Sequence, residues 1–348
     1  MNDLSDKHLT PLSELGEFGL INKLTQNIKY INKTTIKGVG DDAAVIDITD
    51  KKILISTDLL VEGIHFDLIY TPLKHLGYKA AIANFSDIIA MNGNPTHLTI
   101  GIALSAKFSV EACVELFEGL KLACKKYNVD IIGGDTTSSK KGLFISITVI
   151  GEAKEKDIVY RNTAQEGDLI CVTGDLGAAY VGLLLLEREK KAFLIHPNEQ
   201  PDLQGNEYII SRQLKPEARL DIIRLLKDYH IKPTAMIDIS DGLASELIHI
   251  CTNSNKGCKI YEEKIPIDPT TVMAIEEFNI SPIIAALHGG EDYELLFTIK
   301  QSDYNKIKDI PGISIIGHIT EAAEGINLIT NNGSMQPITA QGWNSFRK

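Results

Sequence analysis

The stretch GVGDDAAVID, residues 38–47, decides how this 348-residue chain is read. Its glycines fit G-x-G-x-x-G/A, the fingerprint of a dinucleotide-binding fold. That reading fails on two counts. Asp41 and Asp42 stand where a pyrophosphate would have to lie, and the motif opens an apolar strand rather than a helix. What remains is a pair of adjacent carboxylates at the mouth of a strand, AAVIDI at 43–48, in a chain whose net charge is already −11.

Outward from this stretch the apolar pattern predicts a short helix at 13–30 and a strand at 52–61. A helix follows at 72–91, opened by Pro72 and closed by Asn92-Gly93. Then come a strand at 97–104, a helix at 109–127, a strand at 129–132 ending in a Gly133-Gly134 turn, and a strand at 143–153. This order predicts an α+β unit, a mixed sheet with its helices on one face. The polar run 152–168 has no apolar period and reads as a linker, so the domains are expected at 1–153 and 154–348. The second domain reads as α/β. Its strands fall at 169–173, 235–239, 258–261, 292–299, 313–318 and 326–329, and its helices at 177–190, 216–229, 242–252 and 269–278. The charged insert 189–212, with Pro197, Pro201 and Gly205, reads as a surface loop.

Composition narrows the function. Hydrophobic residues make up 44% and charged residues 23%, as in an ordinary globular protein. The acidic balance argues against nucleic acid or an anionic membrane as partner. The five cysteines form no CxxC and are odd in number, which fits reduced thiols better than disulfides or zinc. The first residues carry no signal-peptide pattern, and the longest aliphatic run, 178–186, is too short to span a bilayer. A cytoplasmic protein is the expectation.

Aspartate recurs beside Gly, Ser or Thr next to apolar runs. The sites are Asp41-Asp42, Ser56-Thr57-Asp58, Ser86-Asp87, Asp135 after Gly133-Gly134, and Asp238 with Ser240 and Asp241. Singly, each could cap a turn, and Asp241 could open the following helix. Asp87 has no such role, because at helical spacing it shares a face with Ala80, Ala83, Asn84 and Ala90. Clustered carboxylates raise one another's pKa, and a divalent cation reverses that cost. Mg²⁺ prefers hard oxygens and is commonly held by a few carboxylates together with substrate phosphates. The P-loop, HExxH and GxSxG motifs are absent.

Read in order, GEFGLI, GVGDDAAVI, STDLLVEGIHF, NFSDIIAMNG, IIGGDTT, VTGDLG, LKPEARL, DISDG, GGEDYELLFT and the closing GWNSF resemble thiamine-monophosphate kinases. The resemblance implies a two-domain aminoimidazole ribonucleotide synthetase-like fold and a homodimer joined through N-terminal sheets. It implies ATP- and Mg²⁺-dependent phosphorylation of thiamine monophosphate to thiamine diphosphate. Asp42, Ser56, Thr57, Asp58, Asp87, Asp135, Asp238 and Asp241 then match metal ligands. Gly134, Asp135, Arg161 and Ser240 match nucleotide-contacting positions, while His65, Glu291 and Trp343 match positions that contact thiamine phosphate. Asp58, Asp87, Asp135 and Arg161 are the expected catalytic group. Where the family often has a tyrosine in the 109–127 helix, this chain has Phe117 and Glu118, so the resemblance offers only ring stacking by Phe117. From the residues alone, His65 also reads as an ordinary loop histidine, Arg161 as a solvated linker residue and Trp343 as a tail anchor. Asp292 and Glu294 read as turn and strand surface. The alternatives are another ATP-dependent enzyme of the aminoimidazole ribonucleotide synthetase-like superfamily and a non-catalytic Mg²⁺–nucleotide binder.

Overall fold

The computed structural model describes residues 10, 14–15, 20, 23–37, 45–47, 50–198 and 200–340. They divide between two compact units, Met1–Phe85 with Pro95–Glu152 and Ser86–Asn94 with Ala153–Lys348. The 38–44 stretch, residues 13, 16–19, 21 and 22 of the expected 13–30 helix, Asp42 and Trp343 lie outside the described residues.

In the first unit, β1 (Thr35–Lys37) pairs antiparallel with β2 (Val45–Ile46). A four-stranded sheet runs in the order β3 (Lys52–Val61), β6 (Phe144–Ala153), β4 (Asn94–Ser105), β5 (Asp130–Ser139). Strand period 2 is plain in β6, where Ile145, Ile147 and Val149 are buried and their neighbours are half-exposed. Helices Leu73–Ala90 and Val110–Tyr127 bring Leu76, Ile82, Phe85, Leu116 and Leu120 to the same core. Ser109 caps the second helix by accepting the Ala112 N–H.

The Gly133-Gly134 pair is no turn. β5 continues through it parallel to β4, after a one-residue register shift at Ile132, with Ile100 opposite Gly134 and Gly101 opposite Asp135. A Cβ on Gly134 would stand 2.0 Å from the Ile100 carbonyl oxygen, so only glycine lets the two backbones approach this closely. Buried Asp130, at the start of β5, accepts the N–H groups of Ile31 and Asn32 at 2.6 and 2.9 Å and the Thr35 hydroxyl. His97, whose pKa burial lowers against the opposing pull of Asp130, meets the same hydroxyl at 3.0 Å. Together they fix the segment that enters β1.

The second unit holds a seven-stranded sheet. Its order is β13 (Met335–Pro337), β12 (Ile326–Ile329), β9 (Gly257–Tyr261), β11 (Ile313–Thr320), β7 (Leu169–Thr173), β10 (Leu295–Ile299), β8 (Ala235–Asp238). All neighbours are antiparallel except β9 and β12, which run parallel. One core joins this sheet to helix Leu243–Ser254 through Ile237, Leu247, Ile250, Ile260 and Leu296.

Two expectations fail here. The 152–168 run is not a loose linker. Ile158, Val159 and Ala164 are buried, and the Val159 N–H donates to the Met91 carbonyl. Nor is 189–212 a surface loop. The preceding helix continues to Ile195, and a new helix, Glu207–Leu214, buries Ile209, Gln213 and Leu214. A Cβ on Gly182 would lie 2.3 Å from the Ile209 carbonyl, so this helix lies tightly against Ala178–Ile195.

Candidate functional site

In the first unit the candidate residues sit on sheet strands. Ser56, Thr57 and Asp58 fall mid-strand in β3, with Ser56 and Asp58 half-buried and Thr57 exposed. The Thr57 hydroxyl donates to the Ile147 carbonyl at 3.0 Å. The Asp58 N–H donates to Asn84 Oδ1 at 3.1 Å, and Asn84 is itself locked by donating to the Ala80 carbonyl. Asp135 is exposed on β5 beside Gly134. β3 and β5 are opposite edges of a four-stranded sheet, three strand spacings or about 14 Å apart, so these two acids do not touch. His65 is exposed, and its Nδ1 accepts the Val61 N–H at 3.1 Å. Phe117 is buried in the core.

In the second unit two loops lie side by side. The Glu291 N–H donates to the Ser240 carbonyl at 2.7 Å, the Tyr293 N–H to the Ile239 carbonyl at 2.9 Å, and the Ile239 N–H to the Glu294 carbonyl at 2.8 Å. Gly290 makes this possible: its φ is +73°, and a Cβ would meet the Ser240 carbonyl at 2.5 Å. Glu291 and Tyr293 also hold positive φ, +58° and +52°, at a cost of about 1 kcal/mol or more each. A loop kept in so unfavourable a shape is over-determined by its partners. Thus Ser240 and Glu291, 51 positions apart in sequence, share one ledge.

Asp238 ends β8 and is buried. Asp241 is not the cap of the next helix. That place belongs to Gly242, while the Asp241 N–H donates to Glu246 Oε1 at 3.0 Å. Sequence reasoning missed Glu246, whose only signal was an acid one turn into the helix after DISDG. Burial pushes its carboxyl up to about 8. The Asp241 N–H that it accepts draws it back down, the nearby Asp238 and Asp241 carboxylates push it up, and Arg161 opposes them least. Burial also raises Asp241, against a partial offset from His249. Asp87 lies half-buried in the Ser86–Asn94 stretch that groups with this unit, and Arg161 is exposed. Among the described residues no three His, Cys, Asp or Glu side chains form a ready-made cage for an ion. The donors are carboxylates and hydroxyls, hard oxygens that suit Mg²⁺ shared with phosphate rather than zinc.

Asp292 and Glu294 are not surface acids, contrary to their reading from sequence. Both are buried. Glu294 accepts from Arg212 at 2.8 Å and from Arg219 at 2.7 Å, and from the Thr173 hydroxyl. Asp292 accepts the Gly177 N–H at 2.9 Å. Burial lifts its carboxyl to about 7, although Arg212 draws it down. Gln213, also buried, donates its side-chain amide to Glu291 Oε2 at 2.8 Å.

The model of the AIR synthase related protein N-terminal domain matches residues 40–153. The chain is 39% identical to the thiamine-monophosphate kinase of Buchnera aphidicola subsp. Schizaphis graminum, over 96% of this chain and 99% of that one. It is 34% identical to that of Aquifex aeolicus, again over 96% and 99%. Among solved structures, AaThiL complexed with AMPPCP and TMP superposes with a TM-score of 0.73, at 32% identity over 98% of this chain and 100% of the other. The enzyme from Stenotrophomonas maltophilia K279a gives 0.76 at 27% identity, over 92% and 98%. Likeness at this level runs through nearly the whole of both chains, and the protein belongs to the thiamine-monophosphate kinase family.

Proposed function

We propose that this protein transfers the γ-phosphoryl group of ATP to the phosphate of thiamine monophosphate, giving thiamine diphosphate. The observation that carries this reading is near-full-length identity of 31–39% to thiamine-monophosphate kinases. AaThiL, which binds AMPPCP and TMP together, adds support.

The acceptor is a phosphate monoester whose second pKa is about 6, so it is a dianion near neutrality and needs no strong base. The demands are alignment and neutralisation of two anions. Asp42, Ser56, Thr57, Asp58, Asp87, Asp135, Asp238 and Asp241 are the oxygen donors we assign to several Mg²⁺ ions. When bound, those ions would supply charge screening between the phosphates. Arg161 offers a planar fork to phosphate oxygens. Gly134 and Ser240 present backbone to the nucleotide, whereas Phe117, expected to stack there, has its ring buried in the first unit's core and offers the base no open face. Glu291, His65 and Trp343 hold the thiamine portion.

Two further assignments belong to the same reading. β3 exposes Ile53, Ile55 and Leu59, at 47%, 66% and 54%, on the sheet side away from its core. Three large aliphatic side chains on one face of the strand, interrupted by Thr57, support a homodimer built through this face. All five cysteines are reduced and buried, which fits the cytoplasm, and no helix among the described residues is long and apolar enough to cross a membrane.

The test is direct. Purified protein is mixed with ATP, Mg²⁺ and thiamine monophosphate, and thiamine diphosphate is followed by chromatography. Folded protein that forms no product would refute the proposal.

A further inference from the structure

Gln213 stands out among the buried polar groups of the second unit. It lies on the Glu207–Leu214 helix, is 4% exposed, and turns its amide toward a loop 78 residues further along the chain. Its partner atom, Glu291 Oε2, is a carboxylate oxygen and can only accept, so the amide nitrogen must face it. The supporting helix is itself held rigidly. Arg212, the preceding residue, bridges to Glu294 and to the Asp175 carbonyl at 2.8 and 3.0 Å. The backbone of Glu291 is pinned from the other side by the Ser240 carbonyl. Glu291 is thus gripped at both ends, backbone and carboxylate.

We infer that Gln213 is a positioning residue. It fixes the direction of the Glu291 carboxylate so that this group selects a hydrogen-bond donor, the exocyclic amino group of an aminopyrimidine, on the substrate. The inference rests on the reading of Glu291 as a substrate contact. A carboxylate held in one rotamer accepts from an amine without first losing side-chain freedom, whereas an oxygen at the same place offers no such donor. The Glu207–Leu214 helix thereby carries the strut that sets selectivity for the base.

The test compares thiamine monophosphate with the analogue bearing oxygen in place of that amino group, using the full-length protein. Glu291→Gln should raise the KM for thiamine monophosphate and erase the preference for the amine. Gln213→Met, which keeps the volume, should raise that KM about tenfold, the scale of one hydrogen bond to a charged group. It should lower the preference by a similar factor, with the KM for ATP unchanged. The double variant should be no worse than Glu291→Gln alone. Gln213→Asn, too short to reach, should match Gln213→Met and stands in for it if that variant does not fold. Parallel rises in both KM values, or additive losses in the double variant, would make Gln213 a merely structural residue. A normal Gln213→Met beside a defective Glu291→Gln would overturn the role of Gln213 alone. A normal Glu291→Gln would overturn the reading of Glu291 and this inference with it.

Discussion

The second unit contains two groups of buried acids that are neutralised differently. Around Asp292 and Glu294 the fold supplies its own cations, since Arg212 and Arg219 reach Glu294 within 2.8 Å and Arg212 approaches Asp292 at 3.8 Å. Burial works against Arg212, yet the carboxylates of Glu294, Asp292 and Asp175 outweigh it and keep it charged. Around Asp238, Asp241 and Glu246 burial wins instead. Glu246 and Asp241 are both raised, and Arg161 and His249 offset only part of that rise. The first group is a joint that locks the Glu207–Leu214 helix to the loop before β10. The second is a place where negative charge is kept in waiting, which makes sense where positive charge arrives with the ligand.

The largest expected effect separates these roles in catalysis. Asp238→Asn should lower turnover about 1,000-fold, roughly 4 kcal/mol of transition-state stabilisation, while leaving the melting temperature nearly unchanged. Asp58→Asn and Asp87→Asn should act alike, and Asp47→Asn, at an exposed position, should not. Equal activity in all four would erase the distinction. Next in size, Glu294→Gln should lower unfolding stability by about 3 kcal/mol in denaturant titrations, because it removes the buried carboxylate that two half-buried arginines, Arg212 and Arg219, share. A loss confined to activity would place Glu294 in the other group.

The smallest effect depends on pH. Folding raises the Glu246 carboxyl from 4.5 to about 8, so the folded state favours the protonated form. The resulting stability is fully present below pH 4.5 and is lost as pH rises through about 8. The melting temperature of the metal-free protein should therefore fall between pH 5 and pH 9. Glu246→Gln, which cannot ionise, should fall less steeply, by a few degrees over that span. Asp292, raised to about 7, contributes the same slope to both proteins. Identical curves would show that Glu246 is not held protonated.

How far the sequence reveals all this varies with the distance over which a signal acts. The apolar pattern predicts a strand at 52–61, and β3 is Lys52–Val61. The helices predicted at 72–91 and 109–127 match to within a residue at each end, because period and caps are local. The Gly-Gly pair misleads, since a turn signal is local but the parallel partner that carries β5 through it is a distant strand. Pro197, Pro201 and Gly205 obscure the helix that follows them, although Tyr208, Ile209, Arg212 and Gln213 have the spacing of one buried helical face. Asp292 and Glu294 resemble surface residues because the arginines that accept burial with them lie 75 and 82 positions from Glu294. The aspartates beside Gly and Ser are visible as chemistry. That Ser240 and Glu291 share a ledge is not, because it is made by backbone hydrogen bonds between loops.

The most direct test of the contrast is thermal unfolding with a non-hydrolysable ATP analogue, in Mg²⁺ and in chelator, for the wild type and Asp238→Asn. The analogue should raise the wild-type melting temperature by several degrees in Mg²⁺ and hardly at all in chelator, and Asp238→Asn should lose most of the gain. An equal gain in chelator, or an undiminished gain in Asp238→Asn, would contradict the claim that this second group of acids is completed by a cation arriving with the nucleotide.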